Sequence, residues 1–303
     1  MMANALANLQ IKNTCIGSMG FPALHPVFNA MPVHSNVISI SDPGLSQAIE
    51  FEDGKIIFSE LNIFDQYDWN YIRNKVDIEK LRNLAGKSHL VAFLDWVNLP
   101  HASDIWEGFL EDVIKPMDKK DIIFFFDLCD PSKKSVQQID EVLDLISSFS
   151  ACGKVILGLN ENETNKIWLA INGYNRTTPE RQNDIPALKA TGASLFNTLN
   201  IDTLLIHPTD RTLVFTKQGM LELEGYVVKE PKVQTGGGDN LNAGYCLGLL
   251  LGFDTPKCML LGMAASGSYV QQGCSPGIDD LTDYIRAWAE KISRKEASAQ
   301  EAL

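Results

Sequence analysis

The chain has 303 residues, of which 45% are hydrophobic and 21% are charged, and its formal net charge is −12. This is an ordinary globular composition, and the length suffices for one large α/β domain or two smaller ones. A surface this acidic repels nucleic acid and anionic lipid, so neither is expected as a partner. A phosphorylated ligand would have to be held by local features, because the field of the whole molecule opposes it.

No targeting or membrane-spanning segment is predicted. No apolar run reaches the roughly 18 residues that a transmembrane helix needs, and residues 1–17 lack the basic start, apolar core and cleavage site of a signal peptide. The cysteines form no CxxC pair and no Cys/His cluster at metal-ligand spacing. They are expected to be reduced, buried thiols of a cytoplasmic protein, and they stand at Cys15, Cys129, Cys152, Cys246, Cys258 and Cys274.

The amino-terminal region begins with a predicted helix over residues 3–10 and a short strand. Over residues 34–61 the sequence changes to short segments of alternating polarity. Three short alternating segments there are separated by turn sequences at Asp42-Pro43-Gly44 and Asp53-Gly54. Turn chemistry between alternating segments predicts a small antiparallel sheet with one face in water.

From residue 89 onward, apolar strands alternate with helices. Continuous apolar runs lie within residues 89–96, 121–130, 154–160 and 201–209. Such runs are typical of strands covered on both faces, which predicts a mostly parallel sheet. Residues 211–229 are expected to form antiparallel edge strands, and a glycine-rich turn, further helices and a frayed tail follow. The predicted fold class is α/β, as one domain with a small β appendage.

Residues 233–248, VQTGGGDNLNAGYCLG, carry the strongest chemical signal. Three consecutive glycines have no packing value, but they allow positive φ and close approach of a ligand to the backbone. They lead into an apolar helix, whose free amide groups form a pocket for negative charge. Asp239 in this pocket is either a base that accepts a proton from an attacking hydroxyl or a helix N-cap, and local chemistry alone leaves both open.

Neither of the common nucleotide-binding motifs fits this stretch. GxxxxGK[ST] is absent, so the segment is not a P-loop, and TGGGDNLNAG lacks the GxGxxG order of a Rossmann fingerprint. An oxidoreductase with a dinucleotide cofactor is therefore disfavoured.

The TGGGDNLNAG segment resembles the signature T-G-A-G-D-x-F-x-A-G of PfkB carbohydrate kinases, with Gly237 and Leu241 at the usual Ala and Phe. The resemblance implies a ribokinase-like three-layer α/β/α fold, with a core over residues 1–33 and 62–303 and a small β lid over residues 34–61. It also implies roles for the motif residues. Asp239 would be the catalytic base, Asp239 and Asn242 would bind substrate, Thr235 would bind nucleotide, and the anion hole would be formed by Gly236, Gly237 and Gly238.

VILGLNENET resembles the N-x-x-E element of the same family, here Asn160 and Glu163. The resemblance implies that these side chains order waters around Mg²⁺ and the nucleotide phosphates, with Glu163 reaching the metal through water. Hard oxygen donors suit Mg²⁺, which keeps most of its waters. The alternative is a polar helix start that follows a strand.

Two weaker similarities extend along the chain. FFFDLCDP resembles a D-x-N strand end and places Asp127 and Asp130 toward the active face. GMAASGSYVQQGCSP resembles the segment beside the adenine and a monovalent-cation site, where Gly273 and Ser275 align.

The sequence departs from the family pattern at two places. Met1 aligns at or just after the Asn of the family's G-G-x-x-x-N loop, so the first strand and most sugar contacts are expected upstream of this sequence or from another element or subunit. Residues 207–212 replace the T-x-G-x-x-G loop, with Thr209 and Thr212 at the glycine positions. This substitution puts nucleotide affinity or identity in question, and His207 is either a structural residue or a nucleotide contact.

The resemblance predicts transfer of the ATP γ-phosphoryl group to a hydroxyl of a sugar or sugar-like substrate. The expected cofactors are Mg²⁺ and ATP, with a monovalent cation as a further candidate, and a homodimer through the lid is expected. Two alternatives stay open at this point, a catalytically weak relative that binds a metabolite and a nucleoside kinase of the same fold.

Overall fold

A computed structural model describes residues 1–31, 33–51, 54–173, 185–226, 228, 230–233 and 235–301. In this part of the chain the helices are α1 Met2–Asn8, α2 Trp69–Lys75, α3 Ile78–Lys87, α4 Ala102–Phe109, α5 Val136–Ser148, α6 Glu161–Ile171, α7 Leu188–Thr198, α8 Gly237–Leu250, α9 Thr255–Gln272 and α10 Ile278–Glu301. The strands are β1 Asn13–Ser18, β2 Ser35–Ser41, β3 Leu45–Phe51, β4 Gly54–Glu60, β5 Leu90–Leu94, β6 Ile122–Asp127, β7 Gly153–Leu159, β8 Thr203–Ile206, β9 Arg211–Thr216 and β10 Gly219–Glu224.

A six-stranded sheet in the order β10-β9-β8-β7-β6-β5 forms the centre of the molecule. β5, β6, β7 and β8 run parallel to one another, and β9 and β10 complete the sheet in antiparallel pairings. The four continuous apolar runs became the four parallel strands, and the segment after them became the antiparallel edge. The predicted mostly parallel sheet is therefore confirmed.

The sheet separates two hydrophobic layers, and β6 shows how one strand contributes to both. Phe124, Phe125 and Phe126 are all fully buried. Phe124 and Phe126 pack in the core under α2 to α7, whereas Phe125 packs in the core under α1, α8, α9 and α10. Successive side chains of a strand point to opposite faces, so a strand that is apolar throughout is covered on both. This is the predicted three-layer α/β/α arrangement.

Residues 34–61 differ in part from the predicted three-segment antiparallel sheet. β3 and β4 do form an antiparallel hairpin. β2, however, pairs in parallel with β1, and the Ser35 hydroxyl donates to Asn13 Oδ1 at 2.8 Å. Alternating polarity indicates a half-exposed strand but not the direction of its partner, which explains the difference. The lid boundary at residues 34 and 61 stays a prediction.

Three smaller expectations can also be compared with the structure. α10 continues to Glu301, so most of the predicted frayed tail is helical. All six cysteines are free, but only Cys152, Cys246 and Cys258 are buried, whereas Cys15 and Cys129 are half-buried and Cys274 is exposed. Among the described helices, none combines the length and the apolar character needed to cross a bilayer.

Candidate active site

Polar side chains meet at the carboxyl ends of the parallel strands. Asp95 follows β5, Asp127 ends β6, Asn160 follows β7 and His207 follows β8. Because these strands are adjacent and parallel, their carboxyl ends lie at one edge of the sheet, which is where ligands bind in open α/β folds. The sequence predicted Asp127 and Asn160 here, and left His207 undecided.

The amino terminus of α8 lies at the same edge, and glycine is required where it begins. Gly236 adopts φ +97°, a left-handed conformation that favours glycine. A Cβ atom there would lie 2.8 Å from the Tyr269 hydroxyl and 2.4 Å from Met1 Sδ. Gly237 and Gly238 then start the helix, with Asp239 in its first turn. The predicted glycine turn into a helix is therefore present, with first-turn amides that have no intrahelical partner.

Asp239 is held close to the start of the chain as well as to the sheet edge. Its Oδ1 atom accepts a hydrogen bond from the Met2 amide at 3.1 Å, and the Met1 amino group lies 3.9 Å away. The side chain is 37% exposed. Its negative charge contributes to the raised pKa of Asp127, behind the larger effect of burial. The two carboxylates therefore belong to one electrostatic neighbourhood.

Asp127 accepts two hydrogen bonds, one on each carboxylate oxygen. The Cys129 amide donates to Oδ1 at 3.1 Å, and Asn242 Nδ2 donates to Oδ2 at 2.7 Å. Burial raises the pKa of Asp127 to about 6, and the charge of Asp239 adds to the rise. Asn242 is fully buried, and its side chain already has Asp127 as a hydrogen-bond partner. Substrate binding by Asn242 stays a prediction.

Asn160 and Glu163 form a reciprocal capping box at the start of α6. Asn160 Oδ1 accepts from the Glu163 amide at 2.9 Å, and Glu163 Oε2 accepts from the Asn160 amide at 2.8 Å. The polar helix start that the sequence offered as an alternative is thus real as local structure. Burial raises the pKa of Glu163 to about 7, and the charge of Asp127 adds to this. A capping role does not by itself explain a carboxyl group in so unfavourable a place.

This edge of the sheet has the chemistry of a Mg²⁺ site. The pKa values of Asp95, Asp127 and Glu163 are all raised, first by burial and in each case also by the charge of a neighbouring carboxylate. A divalent cation would relieve that repulsion, and carboxylate oxygens are the ligands it prefers. In the described residues no three His, Cys, Asp or Glu side chains converge as direct ligands. Mg²⁺ usually keeps several waters and takes few protein carboxylates directly, so these residues fit such an ion.

The residues predicted on the nucleotide side lie on two loops. Thr209 is exposed between β8 and β9, and Gly273 caps α9 with φ +82°. Ser275 accepts a hydrogen bond on its carbonyl oxygen from Asn8 Nδ2 at 3.0 Å. Tyr269, in the last turn of α9, donates to the Thr235 carbonyl oxygen at 2.9 Å. The end of α9 and the glycine turn are thereby brought together.

His207 packs directly against the glycine turn. A Cβ atom on Gly238 would lie 3.1 Å from His207 Cε1, and the His207 amide donates to the Leu159 carbonyl oxygen at 2.9 Å. Burial lowers the pKa of His207 to about 4, so the imidazole is neutral at pH 7. Its Nε2 atom is buried without a hydrogen-bond partner in the described part of the chain. The contact with Gly238 has no signal in the sequence, because 31 positions separate the two residues.

Sequence reasoning also missed Asp95 and Cys129. Asp95 adopts φ +63° and accepts a hydrogen bond from Asn98 Nδ2 at 2.6 Å. Cys129 adopts φ +61°, and burial together with the nearby carboxylates raises the pKa of its thiol. A carboxylate directly after a buried strand was an available signal for Asp95, whereas the Cys129 backbone conformation had none.

Comparisons with known proteins agree with this arrangement. The sequence model of a family described as prokaryotic ketohexokinase matches residues 1–288. A ketohexokinase from Haloferax volcanii is 21% identical over 289 residues, which cover 95% of this chain and 74% of that protein.

Solved structures show the same fold at low identity. Adenosine kinase from Sinorhizobium meliloti has a TM-score of 0.67 and 15% identity, with 94% of this chain and 80% of that chain covered. Ribokinase from Arabidopsis thaliana, complexed with ribose and ATP, has a TM-score of 0.63 and 16% identity, with 94% and 85% covered. A ribokinase II candidate from E. coli, in complex with ATP and Mg²⁺, has a TM-score of 0.66 and 13% identity, with 94% and 87% covered.

The fold is ribokinase-like, and the protein is a carbohydrate kinase of the PfkB class, as the glycine motif predicted. More narrowly, the chain belongs to the prokaryotic ketohexokinase family.

Proposed function

We propose that this protein transfers the γ-phosphoryl group of ATP to a hydroxyl of a ketohexose, with Asp239 as the base. The family description and the Haloferax volcanii relative both name a ketohexokinase, which supports a ketohexose over other sugars and over a nucleoside. The roles of the individual residues rest on the geometry described above.

The observation that carries the proposal is the position of Asp239 at the start of α8. The carboxylate lies one turn beyond the left-handed Gly236 and beside free helix amides, at the edge where Asp127 and Asn160 also lie. Asp239 accepts the proton of the attacking hydroxyl. The amides of Gly236, Gly237 and Gly238 stabilise the negative oxygens of the phosphoryl group in transfer. Positioning and electrostatics supply most of the catalysis in such a reaction.

Glu163 and Asn160 would hold Mg²⁺ through water, beside the phosphates. When bound, the ion supplies positive charge that neutralises the phosphate oxygens. The raised pKa of Glu163, which burial dominates, supports this assignment because an ionised carboxyl there is unfavourable unless a cation compensates it. Asp127 lies close enough for its charge to affect the same group.

The nucleotide is proposed to lie between the end of α9 and the β8–β9 connection. Thr235, Gly273 and Ser275 would contact it from one side and Thr209 from the other. The hydrogen bond from Tyr269 to the Thr235 carbonyl oxygen supports a shared pocket. Binding of a monovalent cation beside Gly273 and Ser275 stays a prediction.

A homodimer through the β3–β4 hairpin is the proposed assembly. The register places Leu45, Ile49, Phe51, Ile56 and Phe58 on one face of the hairpin, and each of these side chains is 48–58% exposed. The five residues are called the hairpin face below. An exposed apolar surface of this kind is a candidate for association with another protein surface.

The test is a phosphorylation assay with Mg²⁺-ATP across ketohexoses, aldohexoses, pentoses and nucleosides, with Asp239→Asn in parallel. We expect turnover to be highest with a ketohexose, and to fall by about 10³-fold in the variant, within the range for loss of a general base. Thermal unfolding of the variant should stay close to that of the wild type, because Asn also accepts the hydrogen bond from the Met2 amide.

Each of the other possible results would change the proposal in a specific way. Preference for a nucleoside would replace the substrate class and keep the mechanism. Equal turnover in Asp239→Asn would remove Asp239 from the role of base. Binding of sugar and nucleotide without turnover would identify a metabolite-binding protein with a kinase fold.

A further inference from the structure

Helix α8 is connected to the sheet by a hydrogen bond that spans most of the chain. Asn242 Nδ2 donates to Asp127 Oδ2 at 2.7 Å, across 115 positions of sequence. Asn242 stands three residues after Asp239, so the two side chains are neighbours on the helix surface. A contact that fixes Asn242 therefore also fixes the direction in which Asp239 points.

Apart from the hydrogen bond that Asp239 accepts from the Met2 amide, the packing of α8 near this point is mainly apolar. α8 packs against α9 through Gly244, where a Cβ atom would lie 2.3 Å from the Leu261 carbonyl oxygen. Leu241 and Leu247 are buried in the apolar core. Apolar packing is not directional, whereas a short hydrogen bond to a carboxylate has a strict geometry.

Asp127 is suited to this position because it has two acceptor oxygens. Oδ1 is used by the Cys129 amide and Oδ2 by Asn242 Nδ2. An asparagine in its place would present one oxygen and one NH₂ group, so one of the two donors would face another donor. Asn242 also lies beside β7, since a Cβ atom on Gly158 would be 3.4 Å from Asn242 Oδ1.

We propose that Asp127 is a positioning residue, which orients Asp239 for proton abstraction by holding Asn242 and hence the first turns of α8. This inference rests on the proposed role of Asp239 as the base. Asp127 itself acts through Asn242 and is not proposed to contact the sugar. The ionisable groups around it are Cys129, Asp95, Glu163 and Asp239.

The test is a reciprocal exchange of the two side chains. Asp127→Asn removes one acceptor, and Asn242→Asp places two carboxylates opposite each other. The double variant, which combines Asp127→Asn with Asn242→Asp, restores a complete set of bonds. The side-chain oxygen introduced on β6 accepts from the Cys129 amide, and the NH₂ group beside it donates to the carboxylate introduced on α8.

We expect each single variant to lose about tenfold or more in kcat, with KM for ATP changed less than about threefold. KM for sugar should change as little in Asp127→Asn, since geometry rather than substrate binding is altered there. The double variant should recover most of that kcat. Asn242→Asp should also regain activity as the pH falls from 8 to 6, because two opposed carboxylates share a proton at lower pH. Asp140→Asn is the matched control for loss of a carboxylate, since Asp140 is exposed on α5, and it should match the wild type.

A structural readout separates this inference from the proposed function. Hydrogen exchange at the amides of residues 240–242, the first to have an intrahelical acceptor, should be faster in both single variants and slower again in the double variant. If the wild-type protein phosphorylates no sugar, the proposed function fails while the exchange data still test the contact. Wild-type kcat in Asp127→Asn would overturn the inference, and so would single variants that lose both kcat and exchange protection without recovery in the double variant.

Discussion

Ionisation of Glu163 is expected to lower the stability of the folded protein although the proposed activity requires it. Its folded pKa is about 7, raised chiefly by burial from an ordinary value of 4.5. The folded protein therefore binds this proton more tightly than the unfolded chain does. Stability that the proton supplies is fully present below pH 4.5 and is lost as the pH rises through about 7.

Glu163→Gln should remove that loss. Gln can still accept the Asn160 amide in a capping box, so the variant should match the wild type near pH 5 and be more stable at pH 8, by about 1–3 kcal/mol. Its kcat should nevertheless fall, with a higher Mg²⁺ requirement, because the variant lacks the ionised carboxyl group. Thermal unfolding at both pH values and a Mg²⁺ titration of activity measure the two effects. A variant that is less stable than the wild type at pH 8 would contradict the account.

At the scale of single residues, the sequence predicted what a local motif contains and missed what folding brings together. Asp239 and the glycines before it stand in one segment, so their resemblance to a family signature was readable. The bond between Asp127 and Asn242, and the contact between His207 and Gly238, join residues that are distant in sequence. Neither periodicity nor composition predicts contacts between residues that are so far apart in the sequence.

The start of α8 is the element whose sequence pattern can be tested most directly. Glycine is favoured at Gly236 for two reasons. Its φ is positive, and a Cβ atom there would lie too close to Tyr269 and Met1. Gly237 has an ordinary helical position, where a Cβ atom would lie 3.3 Å from the rotatable Ser266 hydroxyl. The family signature has Gly at the position of Gly236 and Ala at the position of Gly237. This agrees with a requirement for glycine at the first position and not at the second.

Gly236→Ala should therefore destabilise the protein, whereas Gly237→Ala should not. The first should cost at least about 1–2 kcal/mol, from left-handed backbone strain alone. The second should be neutral or stabilising by up to about 1 kcal/mol, since Ala loses less conformational entropy on folding than Gly. Denaturant unfolding of the pair measures this difference. Destabilisation of equal size in both would mean that Ser266 cannot move aside.

Elements were predicted well where burial alone defines them and less well where a partner defines them. The runs that became β5, β6, β7 and β8 are apolar on both faces, and this pattern has one interpretation. β2 has an alternating pattern that fits either strand direction, and the turn sequence at Asp42-Pro43-Gly44 favoured an antiparallel partner. Its parallel pairing with β1 depends on tertiary contacts such as that of Ser39, whose hydroxyl accepts from the Met19 amide at 2.8 Å.

At the scale of the whole molecule, the two apolar layers account for the core but leave one apolar surface outside it. The hairpin face belongs to neither hydrophobic cluster of the described residues. Its register places Phe58 opposite Gln47 and Ile56 opposite Ile49. Ser46 and Ser59 lie on the opposite face of the hairpin, and their hydroxyl groups are 2.9 Å apart. At this end of the hairpin, one face thus carries Phe58 and the other a pair of hydroxyl groups.

This asymmetry yields a matched test of the proposed homodimer. Phe58→Lys places a charge at the centre of the hairpin face, whereas Ser59→Lys places the same charge on the opposite face of the same strand. Burying an unpaired ammonium group at an apolar interface is strongly unfavourable, so Phe58→Lys should shift the protein to monomer. Ser59→Lys should associate as the wild type does. Sedimentation velocity over a range of concentrations distinguishes these states, and a wild-type protein that stays monomeric throughout would refute the dimer. Dissociation by both variants alike would indicate loss of the hairpin itself, whereas dissociation by Phe58→Lys alone would assign the contact to the hairpin face.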